Sequence, residues 1–152
     1  VTDDLIDKDL ERSGAYDEKN HGMVDGSNYL YDHSNATMND GKTDFLISSE
    51  IVYQQPGMGG LPGQYLYLTV SGDKIIGQNN YNMGNFMWGA AAGALGLPEW
   101  LARAGAHANN YMNDPGNDNK SWYKKDFDSP DDQKSIKYGL EKWKIIQYKK
   151  GK

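Results

Sequence analysis

Asn79-Asn80-Tyr81-Asn82-Met83-Gly84-Asn85-Phe86-Met87-Trp88-Gly89-Ala90-Ala91-Ala92-Gly93-Ala94-Leu95-Gly96, continued by Leu97-Pro98-Glu99-Trp100-Leu101-Ala102-Arg103-Ala104-Gly105-Ala106-His107-Ala108, decides how this chain folds. A polar Asn/Tyr/Gly lead-in runs into a small-residue helix with no polar face, which marks that helix as buried. Asn85 is the expected N-cap, its side chain accepting from free amides of the first turn. Gly96 suits a left-handed C-terminal cap, and Pro98 suits the first position of a second helix. Gly89, Ala90, Gly93 and Ala94 hold no neighbour away, so other backbone can approach closely. The expected unit is a buried Gly/Ala-rich helical hairpin with a polar loop at its mouth.

Working outward, the 152 residues suffice for one domain with a real core. A net charge of −5 does not advertise nucleic acid or an anionic membrane as partner, although a local basic patch is compatible with it. Without cysteine there is no disulfide framework, thiolate nucleophile or Cys-based zinc site. Residues 83–97, the longest apolar stretch, are too short and Gly-rich for a membrane span. No signal peptide opens the chain at Val1, which reads as an excised domain or the passenger of something larger.

Before the hairpin, Leu5, Ile6 and Leu10 among acids give a short helix ended by Gly14. Residues 15–43 are rich in Asp, Asn, Gly, Ser and His, a composition favouring turns over regular structure. Residues 1–43 are therefore read as a loop-rich N-terminal segment or linker, and 44–152 as the core domain. Phe45-Leu46-Ile47 and Ile51-Val52-Tyr53 read as strand or short helix, and residues 56–63 as loop. Tyr65-Leu66-Tyr67-Leu68-Thr69-Val70 is the clearest strand, and Ser71-Gly72-Asp73 can turn it into Lys74-Ile75-Ile76. Residues 113–128 read as a second polar loop. Ser129-Pro130-Asp131-Asp132 is a strong helix start. Behind it Ile136, Leu140, Trp143 and Gln147 form an amphipathic stripe, and lysines gather towards the C-terminal end, where they complement the dipole. The fold class is α+β: a small antiparallel sheet with three to four helices.

Three segments carry a resemblance: Gly84-Asn85-Phe86-x-x-Gly89-Ala90-x-x-Gly93-x-x-x-Gly96, then Arg103-Ala104-Gly105, then Asp128-Ser129-Pro130-Asp131-Asp132-Gln133-x-x-Ile136-x-x-Gly139. In order and spacing they resemble the bacterial polymorphic toxin type 44 domain, over roughly residues 72–146. The family's aromatic-Asp-Tyr-Lys stretch is absent or replaced by Gly72-Asp73-Lys74-Ile75, and the N-terminal half is unmatched. The resemblance implies the C-terminal toxin of a larger secreted or contact-dependent inhibition protein, delivered into a neighbouring bacterium and neutralised by a cognate immunity protein. It also implies a ribonuclease, which is the activity predicted for the family.

Residue chemistry offers several readings. His107 lies one helical turn after Arg103, so the pair can serve RNA cleavage as acid or base and phosphate clamp. Equally, a His at a helix C-terminus can satisfy carbonyls, and Arg103 can be an ion-pair partner. Asp128 and Asp132 suit capping as well as catalysis or recognition. Asp73 and Lys74 are ordinary turn residues or a carboxylate–ammonium pair of the site. Asn79, Asn80, Asn82, Asn85 and Tyr81 can hydrogen-bond bases or sugars, or shape a loop through Asx turns. The loop acids lack EF-hand spacing, and His21 and His33 are too far apart for a metal motif, so no metal or cofactor is expected.

The leading expectation is a metal-independent ribonuclease using His107, Arg103, Lys74 and one carboxylate, Asp73 or Asp128, with the Asn/Tyr cluster and Asp132 binding substrate RNA in the target-cell cytoplasm. The alternative is a periplasmic peptidoglycan hydrolase with two carboxylates among Glu50, Asp73, Asp128 and Asp132. A third reading is a non-enzymatic binding module.

Overall fold

The computed structural model describes residues 1–35, 67–78, 80–113 and 130–151. Its elements are α1 (Asp3–Ser13), a single 3-10 turn (Glu18–Asn20), α2 (Met23–Asn35), β1 (Tyr67–Ser71), β2 (Lys74–Gln78), α3 (Asn80–Ala94), α4 (Glu99–Asn113) and α5 (Pro130–Lys150). The class is α+β, with five helices and one two-stranded antiparallel sheet among the described residues. The expected segments at 45–47, 51–53 and 56–63 lie outside the described residues, as does the second polar loop expected at 113–128 except for Asn113, which closes α4.

The Gly/Ala helix is the centre, as its composition requires. Met83, Phe86, Met87, Ala90, Ala91, Ala92 and Leu95 are all essentially inaccessible. Its C-terminus closes as expected: Gly96 takes φ 80°, its N–H bonds Gly93 O at 3.1 Å, and Leu97 N–H bonds Ala92 O at 2.8 Å. That pair of bonds is the Schellman pattern, which satisfies carbonyls the helix would otherwise leave open. Pro98 sits one position earlier than expected, accepting the first amide bonds of α4 from Leu101 and Ala102. The hairpin itself is formed: the Trp88 indole reaches back from α3 to donate to Ala102 O at 3.0 Å.

The other end differs. Asn85 is not the N-cap, because α3 begins at Asn80 and places Asn85 in its second turn, half-buried. The reason is apolar spacing. Met83 and Met87 are both fully buried, so the buried stripe of α3 runs a turn further towards the N-terminus than Phe86. The Asn-rich lead-in is helix rather than a loop at the hairpin's mouth.

The backbone of α5 comes hard against that of α3. A Cβ added to Gly89 would lie 1.9 Å from Ile136 O, and one added to Gly139 would lie 1.8 Å from Phe86 O. Each helix thus sets a glycine against the other's main chain. Gly93 does the same for side chains, receiving the Trp143 ring and Leu140. Ile136, Leu140 and Ile146 are buried along the expected stripe of α5, which starts at Pro130 as its sequence predicts; the Ser129 cap lies outside the described residues.

Residues 23–35 correct the expectation of turns, and with them the described residues hold five helices where three to four were expected. Gly26, Tyr29, Leu30 and His33 fall at helical spacing. Gly26 lets the Leu97 side chain come close, and the Tyr29 hydroxyl donates to Ser13 O at 2.7 Å. Burial of Tyr29 and Leu30 outweighs the weak helix propensity of the surrounding Asp, Asn, Ser and Gly. α1 ends in the same pattern as α3, with Gly14 at φ 91° and Ala15 N–H on Leu10 O.

α1 is tied to the far end of the chain by charge. Asp3 accepts from Lys142 at 2.9 Å and Lys149 at 2.7 Å, and Asp7 from Lys150 at 2.7 Å. Burial alone would raise the Asp3 carboxyl, but the hydrogen bonds from Lys149 and Lys142, with their charges, hold it below its ordinary value of 3.8. A folded-state value below the unfolded one contributes stability above that value and loses it as pH falls through the folded value. Asp3→Asn is therefore expected to lower stability at neutral pH and to flatten the acid limb of the unfolding midpoint against pH below 3.8. An unchanged acid limb would show that the carboxylate is not held by the two lysines.

Candidate nucleic-acid interface

The hairpin expected over residues 65–76 is described over 67–78, pairing Tyr67 with Gln78, Thr69 with Ile76 and Ser71 with Lys74, and Gly72 turns it at φ 63°. Side chains alternate across it. Thr69 and Gln78 are buried, Gln78 Nε2 donating to Thr69 Oγ1 at 3.0 Å, while Leu68, Val70 and Ile75 are exposed. This buried polar pair fixes the register and so fixes where the turn stands.

The turn, Gly72, Asp73 and Lys74, forms one wall of an open groove whose other wall is α5, through Lys134, Lys137, Tyr138, Glu141, Lys144 and Ile145. The groove encloses ≈ 650 Å³. Along α5 the lining runs from residue 134 to 145, about 16 Å at ~1.5 Å per residue. Lys74, Lys134, Lys137 and Lys144 are exposed, and Tyr138 and Glu141 are half-buried.

The charges sort unevenly. Of the described lysines, Lys8, Lys19, Lys142, Lys149 and Lys150 are each held by a carboxylate: Asp4, Asp17, Asp3, Asp3 and Asp7 respectively. Arg12 is held by the buried Asp9. The four lysines that no described carboxylate holds are Lys74, Lys134, Lys137 and Lys144, and all four line this groove. Against them stand Asp73 and Glu141, so the groove is locally cationic on a chain of net charge −5. The lysines of α5 are not mainly dipole partners at its C-terminus. Only Lys149 and Lys150 lie in the last turn, and both are bound to α1.

The other expected residues are placed as follows. Arg103 is exposed on α4, its Nε donating to Gln133 Oε1 at 2.8 Å, while Gln133 Nε2 returns a longer bond to Arg103 O at 3.4 Å. This exchange pins α4 to the first turns of α5, next to Lys134. His107 follows one turn later on α4, half-buried. Neither lines the groove. Asn82 and Asn85 are half-buried on the first turns of α3. Asn80, Tyr81 and Asp132 lie in helices, whereas Asn79, Asp128 and Glu50 lie outside the described residues. Of the expected residues whose side chains are described, Asp73 and Lys74 line the groove.

Lys134, Lys137, Tyr138 and Lys144 were not singled out by the sequence, although their spacing on the solvent side of an amphipathic helix was a usable signal. A second groove of ≈ 490 Å³ adjoins across Lys137, Glu141 and Lys144, lined also by Gly93, Leu97, Glu99 and Trp143. The Trp143 indole nitrogen is buried without a hydrogen-bond partner among the described residues. Also among these residues, no three His, Asp or Glu side chains gather to hold a metal ion, and no helix is long and apolar enough to cross a membrane. No family model, curated protein or solved structure matches the chain.

Proposed function

We propose that this chain is an antibacterial toxin domain that cleaves RNA without a metal ion, acting in the cytoplasm of a neighbouring cell and neutralised by an immunity protein. One observation carries the RNA-directed part: the lysines that no described carboxylate compensates converge on a single groove of an otherwise acidic chain. Such ammoniums are available to phosphates, and binding them releases the counterions that drive association. The delivery, the immunity partner and the cleavage reaction come from the likeness of three segments to the type 44 toxin domain.

In such cleavage the 2′-oxygen attacks the adjacent phosphorus, its proton passes to a base, and the departing 5′-oxygen takes a proton from an acid. A cation offsets the charge that grows on the non-bridging oxygens. Asp73 and Lys74, side by side at the groove's turn, take the parts of base and cation. His107 and Arg103 lie on α4 and do not line the groove, so their part as acid and second phosphate clamp rests on the sequence reading alone and is tested by His107→Ala.

Glycan hydrolysis has one observation in its favour. The adjoining groove carries two carboxylates, Glu99 and Glu141, with the Trp143 ring in its wall. Expression in the cytoplasm against export to the periplasm separates the two readings. RNA fragmentation with a cytoplasmic protein, abolished in folded Asp73→Asn and His107→Ala variants, supports the ribonuclease. Lysis that appears only on export, and is lost in Glu141→Gln, supports wall cleavage and overturns it. Binding of RNA with no cleavage by the parent protein leaves a binding module.

A further inference from the structure

We infer that Tyr138 is a stacking platform and that the lysine groove takes single-stranded RNA in preference to a duplex. The inference rests on reading the groove as a phosphate-binding surface, and it adds which form of RNA the surface accepts. On α5, Lys134, Tyr138, Glu141 and Ile145 follow one another at helical steps of 4, 3 and 4 residues, with Lys137 and Lys144 a fixed two turns apart beside them. Among the described residues Tyr138 is the one aromatic of the lining, and it stands between the lysines rather than at either end. Its body packs against the core cluster, so the ring is held in place while one part faces the groove.

A rigid aromatic among cations spaced along a trough is how single strands are bound. The ammoniums track one backbone, and an unpaired base lays its face on the ring. A duplex offers no free base face, and its recognition needs contacts spread across two backbones and a shallow minor groove. Here the cations lie on one helix and one turn, and Ile145, two turns on from Tyr138, adds a half-buried apolar side chain to the lining. The trough supplies one row of phosphate contacts with a base platform inside it.

The test uses a non-cleavable 2′-O-methyl RNA dodecamer, alone and annealed to its complement, with binding followed by fluorescence anisotropy at low salt. The parent protein is expected to bind the single strand about tenfold more tightly than the duplex. Tyr138→Leu, which keeps an apolar body against the core, is expected to weaken single-strand binding roughly 5- to 100-fold. It should leave duplex binding and the salt slope where they were, because stacking releases no counterion. Tyr138→Phe should bind like the parent. Equal affinity of the parent for both forms overturns the inference, as does a Tyr138→Leu protein that binds the single strand unchanged or loses both forms alike. If those results come with weakened binding in Lys134→Gln and Lys137→Gln, the phosphate-binding reading stands and only the stacking fails. Lysine variants that bind like the parent, or a parent that binds neither form, overturn the groove reading and this inference with it.

Discussion

Gly139→Ala, and equally Gly89→Ala, is expected to lower the unfolding free energy by about 3 kcal/mol or more, beyond the ordinary range for one added methyl group. On an isolated helix the same change would stabilise by roughly 1 kcal/mol, since alanine is the better helix former. The sign reverses because of what the new carbon meets. At Gly139 it would fall 1.8 Å from Phe86 O and 3.0 Å from Ala90 N; at Gly89 it would fall 1.9 Å from Ile136 O. Those are main-chain atoms of hydrogen-bonded helices, with no rotamer to escape into. α3 and α5 would have to part by more than an ångström, and the interlocked side chains around Ile136 and Met87 would be pulled apart with them. Against a typical total stability of 5–15 kcal/mol, either change removes a large share, and a protein carrying both is expected to be unfolded. Gly105→Ala is the control. Among the described residues its Cβ would meet only the Trp88 ring, at 3.3 Å, so its midpoint in urea should stay within about 1 kcal/mol of the parent. A Gly139→Ala protein with the parent's urea midpoint would mean the two helices do not touch as described.

Replacing Lys74, Lys134, Lys137 and Lys144 together by glutamine is expected to cut single-strand RNA affinity by on the order of 10²-fold at low salt. It should also flatten the plot of log affinity against log salt by nearly 3 units, about 0.7 for each phosphate no longer neutralised. Folding should be little affected, because all four side chains are exposed and none is held by a described carboxylate. The contrasting change is Lys149→Gln with Lys150→Gln, on the same helix. Those lysines are engaged with Asp3 and Asp7, so their loss should lower thermal stability and leave the salt slope alone. Equal slopes for the parent and the fourfold variant would remove the groove from consideration as an RNA surface. The comparison separates a charge that is available from one that is merely present, a distinction that net charge does not make.

Much of the fold was legible because it is local. Leu5, Ile6 and Leu10 before Gly14, the turn at Gly72, the cap at Gly96 and the start at Pro130 each depend on neighbours within a few residues, where apolar spacing and glycine's access to positive φ decide the outcome. The burial of α3 was legible too, since a helix of Ala, Gly, Met and Phe has no face to offer water. Less was legible for the site. Asp73 and Lys74 were visible as turn residues, whereas Tyr138 and three of the four groove lysines stood in a helix whose charged side reads as ordinary solvent cover.

By itself, then, the sequence determined the class, the sheet hairpin, the buried small-residue helix and the amphipathic α5, because propensity, capping and periodicity act over one or two turns. Only the tertiary structure decided that α3 meets α5 glycine to backbone, and that Tyr29 and Leu30 draw a polar stretch into helix. It also decided which lysines are neutralised. Lys142 finds its carboxylate on Asp3, 139 residues away along the chain, while Lys144 finds none among the described residues. Coulomb attraction depends on distance in space rather than along the chain, so which charges remain open is set only when distant segments have packed.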